Sequence, residues 1–160
     1  MTAREITHPM STGEGSRSRG RFRISDDSVT RAAAGAAGIF VAFAGVQGAL
    51  AAGAPLGAHV WGGTQDRVLP PEMRIAAAGA AVTLMAMAGV VVRRAGIVGR
   101  PARWLGPATW GIAGYLALNT LGNFASASAV ERIAFTPLTA VASALTGFVA
   151  YRTGRSSKTR

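Results

Sequence analysis

Residues 75–92 read IAAAGAAVTLMAMAGVVV, and Thr83 is the only polar side chain among them. A helix of a soluble bundle needs a polar face toward water, and this stretch cannot form one. With a rise of 1.5 Å per residue, a helix needs about 20 apolar residues to cross a hydrocarbon layer of about 30 Å. The stretch therefore predicts a transmembrane helix rather than a helix of an alanine-rich soluble bundle.

Three further windows lack charged residues, namely 32–65, 104–130 and 133–151. Each is long enough, or nearly so, to cross once, and the first and third leave room for an uncharged loop. We therefore expect an all-α fold, an integral membrane four-helix bundle. The transmembrane domain is predicted to cover residues 29–152, with spans at about 31–53, 73–92, 104–122 and 131–151.

The composition supports this class. The chain has 160 residues, of which 17 are basic, seven are acidic and none is cysteine. Only 15% of the residues are charged, against about 25% in an average soluble domain. The length fits a single domain. The absence of cysteine excludes a disulfide framework, a thiolate zinc site and a thiol nucleophile.

The basic residues are distributed unevenly around the predicted spans. Four spans place both tails and the 93–103 connection on one side, which then holds 14 of the 17 basic residues, while the other side holds Arg67, Arg74 and Arg132. Because Lys and Arg collect in cytoplasmic loops, we expect an up-down-up-down, N-in/C-in topology in the cell (plasma) membrane. The net charge of +10 then faces anionic lipid headgroups rather than nucleic acid.

The N-terminal region has a different composition. Residues 11–21 contain no apolar side chain, so residues 1–28 are predicted to form a disordered basic cytoplasmic tail, and residues 153–160 a second one. A cleaved signal peptide is the alternative, since residues 49–51 and 52–54 have the form of a cleavage site. The tail and the apolar run are both long for such a peptide, which favours an uncleaved first span.

Small residues recur at every fourth position of the first span, in the rows Ala34, Gly38, Ala42 and Gly45, Ala49, Gly53. Such rows let a neighbouring helix approach closely. We expect them to pack within the bundle, and a dimer interface is the alternative. At the start of the fourth span, Ser128-x-x-Glu131 predicts a capping box, and Pro137 predicts a kink or the start of the regular helix.

The connection before Pro70 is the best candidate for a ligand site. It contains Trp61 followed by two glycines, and the pair Asn119 and Asn123 ends the third span at the same membrane face. We expect one outer pocket formed by His59, Trp61, Asp66, Glu72, Asn119, Asn123 and Glu131. The alternative is purely structural: the asparagines join helices, and Glu131 and Arg132 pair with Arg74 and Glu72.

The chemistry of this pocket is limited. His59 has no second imidazole nearby, because His8 falls on the other side, so no metal site is predicted. Motifs for a nucleophile elbow, a phosphate loop or a zinc protease do not occur, and we expect neither a cofactor nor an enzyme. Gln47 and Thr83 are the strongly polar residues near the middle of the first two spans. No charged residue lies deep in a span, which argues against ion-coupled transport.

Several short motifs are shared with a known group. They are Ala54-Pro55-Leu56-Gly57, Trp61-Gly62-Gly63, Leu69-Pro70, Arg74, Leu118-Asn119-Thr120-Leu121-Gly122-Asn123, Glu131-Arg132 and Thr136-Pro137. On these the chain resembles an uncharacterised group of small four-span membrane proteins common in actinobacteria. The resemblance covers the spans and the long connection but not the N-terminal tail. It implies the four-span topology and adds no activity.

Two functions follow as expectations. The first is a structural, interaction or accessory membrane protein that forms a homo-oligomer or binds a membrane partner through its small-residue rows. The alternative is a small-molecule or lipid binder, or a carrier, that uses the polar pocket at the outer face.

Overall fold

The computed structural model describes residues 15–156 of the chain, and the side chains of residues 27–155. This part contains four long helices, which are α1 (Gly15–Ala51), α2 (Pro71–Arg94), α3 (Leu105–Phe124) and α4 (Thr136–Ser156). A π-helical turn, Glu131–Phe135, precedes α4, and two short 3-10 turns, Gly57–His59 and Trp61–Gly63, lie between α1 and α2. No strand occurs among the described residues, so the all-helical prediction is confirmed.

Three segments are long and apolar enough to cross a membrane: Asp27–Ala51, Pro71–Arg94 and Glu131–Arg155. Helix α3 has 20 residues and no charge, but it is not among these segments. Asn119 and Asn123, with Pro107, Trp110 and Tyr115, lower its hydropathy. The crossing of α3 therefore stays a prediction.

Helix α1 begins earlier than the predicted first span. Its first residue is Gly15, so the helix includes residues 15–28, which the sequence assigned to the tail. This segment is rich in Arg and lacks proline, and Arg continues a helix at little cost in free energy. Residues 1–14 and 157–160, the rest of both predicted tails, lie outside the described part.

The ends of α2 follow from its sequence. Pro71 is the first helical residue and needs no hydrogen-bond acceptor for its nitrogen, while Pro70 before it is extended. Glu72 lies in the first turn, and Arg93 and Arg94 lie in the last turn, which complements the helix dipole at both ends. The Arg94 Nε also donates to Thr153 Oγ1 at 2.9 Å and so joins α2 to α4.

The four helices pack side by side around two groups of buried residues. The larger group unites α1 to α4 and contains Phe40, Val91, Leu116 and Val149. The smaller group, with Leu50, Val60, Leu69 and Ala77, lies beneath the connection between α1 and α2. Helix α1 packs mainly against α2, and α3 mainly against α4, whereas α2 and α3 touch only slightly. This leaves space in the bundle between α2 and α3.

The small-residue row of α1 faces away from the bundle. Ala34, Gly38 and Ala42 are exposed, and an added Cβ at Gly38 would meet no atom within 4 Å. The buried row is instead the one with Ala33, Ala36 and Phe40. The prediction that the first row packs within the bundle is therefore wrong. Both rows consist largely of alanine and glycine, and the inward row is the one that contains the larger Phe40.

Candidate ligand-binding cavity

The connection between α1 and α2 folds back tightly on itself. The Gly57 N–H donates to the Arg67 carbonyl at 2.9 Å, which closes the connection into a loop of residues 57–67. Its turning point is Trp61-Gly62-Gly63, where all three residues have positive φ, at 56°, 84° and 70°. Two consecutive glycines allow this path, because residues with a Cβ rarely adopt such angles. The path places Trp61 beside the ends of α3 and α4.

Glu131 fastens this loop to the rest of the protein. The Gly62 N–H donates to Glu131 Oε2 at 3.1 Å and lies 3.3 Å from Oε1. The Ser126 hydroxyl donates to the same carboxylate. One turn earlier, Ser128 Oγ donates to the His59 carbonyl at 2.7 Å. The loop is therefore held through two of its backbone groups. They bond Glu131, the first residue of the fourth helical segment (the π-helical turn together with α4), and Ser128 just before it.

The local helix geometry directs Glu131 toward the loop. The Glu131 N–H donates to Ser128 Oγ at 3.4 Å, which is one half of the predicted capping box. The other half is absent, because the Ser128 N–H donates to Ser126 Oγ at 3.0 Å and leaves the carboxylate free for Gly62. The Thr136 N–H then reaches back five residues to the Glu131 carbonyl, as in a π-helix. The regular helix α4 begins at Thr136, next to Pro137. Of the two predictions for this proline, a kink or the start of the regular helix, the structure shows the second.

Neither nearby arginine neutralises Glu131. Arg74 Nε donates to the Ala51 carbonyl at 2.9 Å and so caps the C-terminus of α1. Arg132 donates to the Ser126 and Ala127 carbonyls, at 2.7 and 3.1 Å. The ion pairs that the structural alternative predicted for Glu131 and Arg132 are therefore wrong. Both guanidinium groups bind backbone carbonyls at or just after the C-terminal ends of helices, where hydrogen-bond partners are otherwise lacking.

A cavity of about 440 Å³ lies between the four helices and beneath Trp61. Most of its lining is apolar or aromatic: Phe43, Val46, Val60, Trp61, Ala80, Leu84, Met87, Leu116 and Phe135. The polar lining residues are Gln47, Thr83, Tyr115, Asn119, Asn123, Glu131 and Thr139. Each of the four helical segments and the loop contributes to the wall.

The polar groups of the cavity differ in how well they are paired. Asn123 Nδ2 lies 3.4 Å from Thr139 Oγ1, which also accepts a bond from Thr120 at 3.0 Å. Thr83 Oγ1 donates to the Gly79 carbonyl at 2.9 Å. Gln47 Oε1 is buried and has no hydrogen-bond partner. An unpaired buried acceptor is costly, so this oxygen is a natural contact for a donor on a ligand.

Four of the seven predicted site residues line this cavity: Trp61, Asn119, Asn123 and Glu131. The other three do not. His59 contributes only its backbone carbonyl, while Asp66 and Glu72 are exposed on the loop and on the first turn of α2. The prediction that the seven residues form one pocket therefore does not hold for His59, Asp66 and Glu72.

The sequence also left out part of the wall. Tyr115 and Thr139 were not predicted, and Gln47 and Thr83 were noted as polar mid-span residues without being assigned to the pocket. The i, i+4 spacing of Tyr115 and Asn119 was the available signal, because it extends the face of the asparagine pair by one turn.

The cavity has the properties of a binding site for a small organic molecule. It combines an apolar wall, a few hydrogen-bonding groups and one carboxylate. Among the side chains of residues 27–155, no group of three His, Asp or Glu is placed to hold a metal ion. Comparison with protein-family models, curated protein sequences and solved structures finds no match to this chain. The resemblance to the actinobacterial four-span group thus stays a prediction.

Proposed function

We propose that this protein is a multi-pass membrane protein that binds a small, mainly apolar molecule in the cavity beneath Trp61. The observation that carries the proposal is the cavity itself, about 440 Å³ in volume and lined by all four helical segments. Small-molecule sites commonly measure about 300–1,000 Å³ and are lined by apolar and aromatic side chains with few polar groups. The proposed role is binding or carriage, without a catalytic step.

The side of the cavity between α2 and α3 supports entry from the lipid. These two helices touch only slightly, and Thr83, Tyr115 and Asn119 line the cavity while remaining exposed. An apolar ligand concentrates in the bilayer, so a lateral opening suits it better than an aqueous one. The proposed path leads between α2 and α3 to the buried Leu116 and the half-buried Phe135.

The proposed topology has four spans in a bacterial-type plasma membrane, with both termini in the cytoplasm. It rests on the excess of basic residues in both tails and in the 93–103 connection. On this topology the loop and Glu131 lie at the outer face. The cytoplasmic arginines then contact anionic lipid headgroups, each with a stabilisation of about 1 kcal/mol.

A photolabelling experiment tests the binding proposal. The protein is placed in phosphatidylcholine nanodiscs and labelled with trifluoromethylphenyldiazirine, a neutral apolar probe. Leu116 lines the cavity and is 2% exposed, whereas Leu118 on the same helix is 70% exposed to the surroundings. We expect both leucines to be labelled. The probe reaches Leu118 from the lipid, but it can reach Leu116 only after it has entered the cavity.

Two variants control this experiment. Ala80→Phe fills part of the cavity and should lower labelling of Leu116 while leaving Leu118 unchanged. Ala78→Phe adds the same side chain at an exposed position of α2 and should change neither. Absence of label at Leu116, or equal label in wild type and Ala80→Phe, contradicts the proposal.

A second candidate function is an accessory role through helix association. It is favoured by the exposed row Ala34, Gly38 and Ala42, which would let a second helix approach α1 closely. Sedimentation in detergent distinguishes the two proposals. An accessory homo-oligomer should dissociate on Gly38→Leu, whereas cavity labelling of a binding protein should not respond to that substitution.

A further inference from the structure

Resting on the proposed binding function, we infer that the preferred ligand is an organic cation, an ammonium group on an apolar body, with Glu131 as its counter-charge. Of the side chains that the structure describes, Glu131 is the only charged one that lines the cavity, and it is 8% exposed. The wall contains no Arg, Lys or His among the described residues. The interior of the cavity is therefore negative and without a resident cation.

The groups that contact Glu131 do not remove its charge. They are the Gly62 N–H and the Ser126 hydroxyl, which are neutral donors. Arg74 and Arg132 bind backbone carbonyls instead, and Arg67 is exposed on the loop. A buried carboxylate without a cationic partner attracts a ligand cation strongly, because the low dielectric of the surroundings weakens the field little.

The aromatic residues make the cavity suitable for an organic rather than a hydrated cation. Phe43, Trp61, Tyr115 and Phe135 line it, and the rings of Phe43 and Phe135 pack edge to face at 5.2 Å. Aromatic faces attract ammonium groups that have lost water, and quaternary ammonium groups shed water most readily. A metal ion would require several oxygen ligands, and the cavity offers a single carboxylate.

The remaining polar groups agree with a donor-bearing ligand. Gln47 Oε1 is a buried acceptor without a partner, and it belongs to the same cavity as Glu131. An N–H of a protonated amine would satisfy it, whereas an anionic ligand would meet an unpaired oxygen and a carboxylate. The same wall that favours a cation therefore rejects lipid phosphates and carboxylates.

Competition against the photolabel tests the inference. Benzyltrimethylammonium is compared with neopentylbenzene, its neutral isostere in which carbon replaces nitrogen, for protection of Leu116 in phosphatidylcholine nanodiscs. We expect the cation to protect at concentrations about tenfold or more below those of the isostere, corrected for partitioning into protein-free nanodiscs. The cation should also raise the Tm of the protein.

Glu131→Gln removes the charge and keeps an oxygen acceptor for Gly62. It should raise the half-protecting concentration of benzyltrimethylammonium about tenfold or more and leave that of neopentylbenzene unchanged. Glu72→Gln makes the same charge change on the exposed first turn of α2 and should shift either value by less than about twofold.

The outcomes separate this inference from the proposed function. If Leu116 is labelled but the cation and its isostere protect equally, or if Glu131→Gln leaves protection by the cation intact, the inference is overturned and cavity binding stands. If Leu116 is not labelled, the proposed function is overturned, and the inference that rests on it is overturned with it. Labelling of Leu116 in Glu131→Gln itself verifies that the variant folds.

Discussion

The backbone N–H of Gly62 lies 3.1 Å from Oε2 of Glu131, across 69 positions of the sequence. This contact joins the loop between α1 and α2 to the start of the fourth helical segment. Because Gly62 follows Trp61 directly, the contact also sets the position of the indole in the cavity wall. One carboxylate thus holds the loop and faces the ligand space.

Glu131→Ala should destabilise the protein by about 1–3 kcal/mol, because the Gly62 N–H and the Ser126 hydroxyl lose their acceptor. Glu131→Gln should cost less, since the amide oxygen still accepts one bond. Thermal unfolding in nanodiscs measures both. Equal Tm values for Glu131→Ala and wild type would show that the loop is not held by this side chain.

Gly63→Ala should destabilise by about 1–2 kcal/mol, because φ is +70° at this residue and an L side chain is strained there. The new Cβ would also lie 3.2 Å from Ser128 Cβ. The matched control is Gly79→Ala on α2, where no atom lies within 4 Å of the added Cβ. That variant should gain up to about 1 kcal/mol from helix propensity, so the two Tm shifts should have opposite signs.

Gln47→Leu should stabilise the empty protein by about 1–2 kcal/mol, because it removes a buried oxygen that has no partner. The same variant should lose affinity for a primary amine such as benzylamine more than for benzyltrimethylammonium, which has no N–H to donate. The measurements are Tm and protection of Leu116. A lower Tm for Gln47→Leu in the absence of added ligand would contradict this account.

Arg74→Ala should destabilise by about 1–2 kcal/mol, since its guanidinium caps the Ala51 carbonyl at the end of α1. Arg67→Ala removes the same charge from an exposed loop position and should change the Tm little. If the two variants lose stability equally, net charge rather than the cap at Ala51 accounts for the effect.

Cysteine labelling tests the orientation in the membrane. The chain has no native cysteine, and positions 64 and 97 are both exposed. Thr64→Cys should react with an impermeant maleimide on intact cells, whereas Ile97→Cys should react only after lysis. Reaction of position 97 but not 64 on intact cells would reverse the proposed topology, and reaction of both would contradict the crossing of the membrane by α2.

The helices could be predicted from the sequence because charge is absent from long windows, a signal that does not depend on tertiary contacts. Trp61, Asn119, Asn123 and Glu131 could be grouped for a related reason: helices of known length place their ends at the same level. Few carboxyl and amide side chains lie near those ends, so few combinations of them could form a site.

The remaining features depend on information that residue types do not carry. His59 acts through its carbonyl, which every residue has, so its side chain was misleading. The inward row of α1 differs from the outward row mainly at Phe40, and alanine and glycine fit either environment. The partners of Arg74 and Arg132 are backbone oxygens, whose availability depends on where helices end.

The π-helical turn at Glu131–Phe135 is equivalent to one residue inserted into a regular helix. Each residue of an α-helix turns the chain by about 100°, so the insertion offsets the azimuth of Glu131 from the face that Thr139 presents to α3. Removing the surplus residue would restore continuous winding and swing the carboxylate around the axis, away from Gly62. The π-helical turn therefore allows Glu131 to bind the loop while Thr139, on the same helical segment, contacts α3.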